Sequence, residues 1–249
     1  MIPLVTKMEN IMAISLNPSI SVKLSKVIPI EEHIRSIDVL NFARESKGLP
    51  LYDLSVWEAL ANRFDCKEQS ILWQCMNNKI GEEFHKKLDS IVRRHQIDNR
   101  DTLYRGLSCR EAKAFYEALI KGEQFDFGKV ASFTTDETIA REFAGKWHYS
   151  TFVVIEVNNC QQSFDYHTSM KSLLITAPDS EFMRPNNVIN NINNINNIDN
   201  IAQRRSADIE MIDKEQERML PMGTKFKVVG HNKVKKSGLL MDYFSVTIA

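Results

Sequence analysis

From Ile28 to about Ile97 the apolar residues recur at spacings of three and four: Ile34, Ile37 and Leu40, then Trp57, Leu60 and Phe64, then Ile71, Leu72 and Cys75. Because an α-helix turns once in 3.6 residues, such spacing lines a single face and predicts a run of amphipathic helices. The segment Ile80 to Ile97, with Phe84, Leu88, Ile91 and Val92, continues the pattern. After Asn99 the texture shortens to β-prone runs between turn residues: DTLYRGL, QFDFGKVASFTT, STFVVIEV, EQERML, TKFKVVG and LLMDYFSVTIA. Two helices are expected among them. Ser108 is followed three residues on by Glu111, a capping box ahead of the amphipathic AKAFYEALI. The second is DETIAREFAGK, with Asp136 or Thr135 available as its cap.

Residues 186–201, NNVINNINNINNIDNI, carry Ile or Val at every third position in a background of Asn. Asn favours neither helix nor strand, so an inserted loop is expected here, an Asn-Ile ladder on a sheet edge being the other possibility. The expected organisation is a leader or flexible segment over 1–27, a helical region over 28–99 packing on a core, and the core itself over 100–249 with the 186–201 insertion.

Composition narrows the function classes. The 249 residues are 43% hydrophobic and 26% charged, the balance of a globular chain. Lys plus Arg number 32 and Asp plus Glu also 32, so no overall field would draw the chain to nucleic acid. No apolar run approaches the roughly 20 residues of a membrane-spanning helix. Cys66, Cys75, Cys109 and Cys160 form no C-x-x-C pair, and the six histidines form no i,i+4 pair, so neither a disulfide framework nor a metal site is expected. Lys7 and Glu9 interrupt the place where a signal peptide would need a continuous apolar stretch, while the polar, Ser-containing start also suits a type III secretion leader. Export stays open.

Three short motifs carry chemistry. In Glu215-Gln216-Glu217, read as part of a strand, residues two apart point to the same side, which would project both carboxylates into one space. A charged edge strand that discourages aggregation has the same pattern. In Tyr104-Arg105-Gly106 a planar guanidinium fork suits pyrophosphate oxygens, and the glycine would let a ligand approach the backbone; an exposed arginine at a strand end is the plainer reading. In Ser132-Phe133-Thr134-Thr135-Asp136 a β-type run passes directly into a helix. Thr134 and Thr135 could merely cap that helix, whereas Ser132 lies too far upstream and is free to orient a carboxylate.

Taken in order, Y-R-G, then S-F-T-x-D-E-x-x-A, then E-x-E-x-x-L-P-x-G-T-x-F, these residues resemble the R-S-E class of arginine-specific mono-ADP-ribosyltransferases. That class spans bacterial toxins, vertebrate ectoenzymes, type III secreted exoenzymes and phage enzymes. The resemblance covers roughly Leu103 to Val229; length and the helical lobe bring the small Vibrio toxins of the class to mind. The usual central S-T-S reads Ser132-Phe133-Thr134 here, which keeps the first hydroxyl and replaces the middle one by an aromatic.

The resemblance implies an α+β fold, a split antiparallel β-sandwich core with flanking helices and NAD+ as substrate in the cleft, with no metal. It implies that Glu217 is the catalytic carboxylate that stabilises an oxocarbenium-like transition state, positioned by Ser132, and that Arg105 grips the diphosphate. Gly106 would offer backbone hydrogen bonds to the nicotinamide amide, and Thr134 would line the nucleotide site. Glu215 would dock the acceptor arginine and help to remove its proton, because a guanidinium with a pKa above about 12 is a poor nucleophile. Trp147 is preferred as the aromatic over the nicotinamide ring; Tyr149 is a second candidate, and Phe143, at helical spacing from Ile139, reads as core. The segment Arg204 to Lys214 would form the loop that recognises the target protein.

The expected partners are NAD+ and a target-protein arginine, with no nucleic acid, for a monomer that is secreted or injected into a host cell as a toxin or effector. The alternatives are an NAD+ glycohydrolase with water as acceptor, a phage enzyme that modifies host proteins, and a non-enzymatic interaction protein on a degenerate fold.

Overall fold

A computed structural model describes residues 34–77, 79–146, 152–183, 198–236 and 239–249. The chain divides into two compact units, Met1–Asp53 with Ala177–Ala207, and Leu54–Thr176 with Asp208–Ala249.

In the first unit, α1 (Ser36–Ser46) and a 3-10 turn (Asp179–Met183) are joined through Arg205, a residue of α8 (Ile198–Glu215) that is only 1% exposed. Its guanidinium donates to Ser36 Oγ at 2.7 Å, to the Ala177 carbonyl at 2.8 Å and to Asp179 at 2.8 Å, and lies 4.2 Å from the centre of the Phe182 ring. A buried cation is tolerable only when its donors are answered in this way.

The second unit holds every described strand. Its helices are α2 (Leu54–Ala61), α3 (Cys66–Met76), α4 (Glu82–Arg94), α5 (Cys109–Lys121), α6 (Glu137–Lys146), α7 (Tyr166–Thr176) and the last turns of α8. Helix α4 buries Phe84, Leu88, Ile91 and Val92, the face that the apolar spacing marks. The Ser108–Glu111 capping box opens α5, and Gly122 closes it at φ 69°, a left-handed conformation that costs a residue without Cβ little.

The strands are β1 (Gln96–Gly106), β2 (Phe125–Asp126), β3 (Ala131–Thr134), β4 (Phe152–Asp165), β5 (Glu217–Leu220), β6 (Lys225–Lys236) and β7 (Leu239–Ile248). They run in the order β1-β3-β5-β4-β7-β6-β2, with β1 also paired to β4. The long β4 explains the split. One edge follows β1 from Gly106 to Gln96, while the other pairs with β7 over Phe152–Val157 and then with β5 at Phe164 and Asp165. The β4–β7 pairing is parallel and the others are antiparallel. Leu103, Phe115, Phe125, Phe133, Ile155, Phe226 and Phe244 form the heart of the core.

Several expectations are corrected. Strand β1 begins at Gln96, inside the stretch that reads as helical. Arg204 to Lys214 is not a loop but part of α8, and the last residues of the Asn-rich tract, Ile198 to Ile201, form that helix's first turn. Ile201, Ala202, Ile209 and Ile212 are buried there, which stabilises a helix despite the poor propensity of the Asn-rich sequence ahead of it. Residues 186–197 lie outside the described residues. Helix α7 carries no periodic signal because Tyr166, Met170, Ser172, Leu173, Leu174 and Ile175 are all buried, and a helix with buried residues spread around its circumference shows no polar face. Phe143 is 40% exposed instead of core, since α6 turns Ile139, Ala140 and Ala144 inward.

Candidate active site

The site is assembled where β3 meets β5. The antiparallel register sets Thr134 opposite Glu217 and Ser132 opposite Met219, so that Ser132 and Glu217 are diagonal neighbours on one face. That register sets the Ser132 hydroxyl to donate to the Glu217 carboxylate. Burial pushes the Glu217 carboxyl up to about 7; the Ser132 hydrogen bond opposes this, the Glu215 charge adds to it, and Arg105 opposes it. A carboxyl raised by burial in this way is not in the environment of a solvated edge strand.

Phe133 points to the opposite face, where it is 3% exposed and packs against Phe127 and Phe226 at ring distances of 6.1 and 5.8 Å. The aromatic in the middle of the motif therefore serves the core and leaves the face bearing Ser132 unchanged. Thr134, expected to line the nucleotide site, is 5% exposed, and its hydroxyl accepts the Asp136 N–H at 3.0 Å. Asp136 in turn accepts the Thr138 N–H at 2.7 Å and caps α6. The Thr134 hydroxyl thus closes a turn just ahead of the helix, and the cap itself is Asp136.

Arg105 reaches the same place from β1. Its Nη1 donates to the Ser132 carbonyl, its Nη2 donates to Glu111 at 2.8 Å, and the guanidinium lies 4.7 Å from the centre of the Phe127 ring. Its Nε is buried with no hydrogen-bond partner among the described residues. The fork is thus not a free phosphate clamp: it ties the β3 backbone, at the residue that holds Glu217, to the first turn of α5. Burial raises the Glu111 carboxyl, but Arg105 and Lys129 outweigh it and hold the group down at about 2. Glu111 was legible in the sequence as a capping residue, and nothing there marked it as the partner of Arg105.

Gly106 owes its identity to packing. A Cβ there would run into the backbone carbonyl of Ala140 and the backbone nitrogen of Ala144, so the glycine lets α6 lie directly on β1. The space beside it that the sequence suggested for a ligand is filled by that helix on the Cβ side.

Glu215 and Glu217 do not share a strand. Glu215 is the last residue of α8 and Glu217 the first of β5, while Gln216 between them has φ 44°. The Gln216 N–H still donates to the Ile212 carbonyl at 3.1 Å, so the helix persists to this point and then breaks. Even so, the Glu215 charge acts on Glu217. Helix α8 is fastened to α7 just before the break, where Asp213 meets Lys171 Nζ at 2.6 Å and His167 Nε2 at 2.8 Å.

Two neighbours of Glu217 carry no sequence signal, because they come from segments far apart. Tyr166 is 3% exposed, and its hydroxyl and the Cys75 thiol lie beside each other. Burial, with the Glu217 charge, pushes the Cys75 thiol up to about 12, and burial holds the Tyr166 phenol well above its usual value. Both groups stay protonated beside the carboxylate. Trp147 and Tyr149 lie outside the described residues. Among the described residues no group of three His, Cys, Asp or Glu side chains could hold a metal ion, and no helix is long and apolar enough to cross a membrane.

Residues 38–249 match the family described as Bacteriophage T4 Mod ADP-ribosyltransferase. The chain is 29% identical over 203 residues to the NAD--protein ADP-ribosyltransferase modB of Enterobacteria phage T4, a match that covers 82% of this chain and 90% of modB. It is 24% identical over 187 residues to modA of the same phage, covering 75% of this chain and 82% of modA. Among solved structures it is similar to Plx2a, an ADP-ribosyltransferase toxin from Paenibacillus larvae, with 10% identity, a TM-score of 0.42 and coverage of 79% and 91% of the two chains. With the family matched over most of its length, this chain belongs to the Mod ADP-ribosyltransferases, enzymes that take NAD+ as their substrate.

Proposed function

We propose that this ADP-ribosyltransferase transfers a single ADP-ribose from NAD+ to an arginine side chain of a target protein, with Glu217 as the catalytic carboxylate. The observation that carries the reading is the β3–β5 register that sets Ser132 diagonally beside Glu217, with a second carboxylate, Glu215, two residues away at the end of α8. Cleavage of the nicotinamide–ribose bond develops positive charge on the ribose, and an anionic Glu217 beside it stabilises that charge more in the transition state than in the ground state. Glu217 also accepts a hydrogen bond from a ribose hydroxyl. Ser132 keeps the carboxylate in place; Arg105 and Lys129, which share the single charge of Glu111, leave a net positive charge for the diphosphate while Arg105 also holds the β3 backbone. Gly106 contributes its backbone to the nicotinamide amide.

Glu215 receives the acceptor. A guanidinium forks onto a carboxylate and loses a proton to it as its nitrogen attacks the ribose carbon. This arrangement favours arginine over water. The phage source of the relatives modB and modA supports an enzyme that modifies host proteins during infection over a secreted toxin.

The test is incubation of the purified protein with NAD+ in the presence and absence of agmatine, a small guanidine, followed by mass spectrometry of the products. An ADP-ribosyl-agmatine adduct and faster nicotinamide release are expected. Equal NAD+ turnover in both arms with no adduct would sink the arginine reading and leave hydrolysis. Labelled NAD+ in a bacterial lysate, with mapping of the modified residue, then identifies the target.

A further inference from the structure

We infer that Thr135 and Gln216 form a clamp that sets the acceptor carboxylate Glu215 against Glu217, so that the Ser132–Thr135 segment positions both carboxylates at once. The inference rests on the proposed role of Glu215 in receiving arginine.

The geometry begins with the break in the chain. A strand would bring two carboxylates together by alternation alone, but here one ends a helix and the other starts a strand. Their separation is therefore decided by the single residue between them. Gln216 has φ 44°, a left-handed conformation that a residue with a Cβ rarely adopts, and which persists where neighbours enforce it.

The neighbour is Thr135. Its hydroxyl donates to Gln216 Oε1 at 2.8 Å, and its backbone N–H donates to the Gln216 carbonyl at 3.4 Å. Side chain and backbone of one residue thus hold side chain and backbone of the other. Thr135 directly follows β3, three residues after Ser132, whose hydroxyl holds Glu217. Ser132 fixes the catalytic carboxylate by direct contact, and Thr135 fixes the turn from which Glu215 projects. On the far side of the turn the helix is held as well, by Asp213 to Lys171 and His167 of α7. With the helix end and β5 both held, the Gln216 dihedral angles are the remaining freedom.

Gln216 and Thr135 touch neither reacting group; they are positioning residues for acceptor use. The quantity that reads their role is the ratio of transfer to agmatine over hydrolysis of NAD+. Thr135→Val removes the hydroxyl and keeps shape and N–H, and is expected to lower that ratio about five- to tenfold, the worth of one hydrogen bond of about 1 kcal/mol. The acceptor KM should rise, with NAD+ hydrolysis within about twofold of wild type. Thr135→Ser restores the hydroxyl and should restore the ratio. Gln216→Ala should lower it similarly, and the double variant Thr135→Val, Gln216→Ala should be no worse than either single one, since both break one bond.

A wild-type ratio in both Thr135→Val and Gln216→Ala would overturn the clamp, as would additive losses in the double variant. Glu215→Gln, measured alongside, separates the two ideas. If it lowers the ratio while Thr135→Val does not, the clamp alone fails; if it leaves the ratio unchanged, the arginine role of Glu215 fails and the clamp falls with it.

Discussion

Removing the Ser132 hydroxyl probes the charge of Glu217 directly. Cleavage needs Glu217 ionised, and its carboxyl sits at about 7, so kcat/KM for NAD+ hydrolysis should rise with pH and level off above an apparent value near 7. Ser132 is what pulls that value down against burial. A hydrogen bond to a charged group contributes about 1.5–3 kcal/mol, and one pKa unit corresponds to about 1.4 kcal/mol. Ser132→Ala should therefore move the acid limb up by about one unit. At pH 7 the ionised fraction then falls from about a half to about a tenth, a roughly fivefold loss that is recovered by about pH 9. Any loss that persists at the plateau measures the positioning role of the hydroxyl instead. The assay is nicotinamide release between about pH 5.5 and 9.5 at NAD+ concentrations well below KM. A rate loss of equal size at every pH, or a limb that moves to lower pH, would refute the assignment of Ser132 as the hydrogen-bond donor that tunes Glu217.

Glu215→Gln should move the same limb the other way, because the Glu215 charge raises Glu217, and it should abolish most agmatine transfer while NAD+ cleavage survives; the paired pH profiles and adduct yields check this. Glu217→Ala should lose both cleavage and transfer, and substantial nicotinamide release by that variant would remove Glu217 from its role. Glu217 also sets a stability trend. Its folded value lies above that of a free carboxyl, so the native state binds the extra proton between about 4.5 and 7 and stability falls as pH rises through that window. The loss is about 3 kcal/mol, and Glu217→Gln should raise Tm at pH 8 while changing little at pH 4, read by thermal melts at the two values. Gly106→Ala forces a methyl group into the α6 backbone at Ala140 and Ala144. It should cost about 3 kcal/mol, or roughly 6–12 °C in Tm; an unchanged melting curve would contradict the packing account of that glycine.

The order and chemistry of the motifs were legible in the chain because they depend on residue type at short range. A Ser two residues before a Thr, an Arg at the end of a β-type run and two Glu flanking one residue are local patterns. So were the apolar face of α4 and the capping box at α5, where 3.6-residue periodicity and side-chain-to-backbone bonds act within a turn or two. The rest needed the tertiary structure, for one physical reason: burial and pairing are properties of segments that meet in space. The Asn-rich approach to α8 hid a helix because packing overrode propensity. Helix α7, with buried residues spread around its circumference, showed no period, and the parallel pairing of β4 with β7 cannot be read from either strand alone. At the site itself, the sequence supplied two carboxylates two residues apart and suggested strand alternation as the cause of their proximity. The fold brings them together by other means, a helix end, a left-handed Gln216 and the grip of Thr135. Likewise the places of Glu111 beside Arg105 and of Cys75 and Tyr166 beside Glu217 became visible only when β1, α3, α5 and α7 were brought together. Residue types thus determined which chemistry this chain can perform, and long-range packing decided the charge, the spacing and the partners of the groups that perform it.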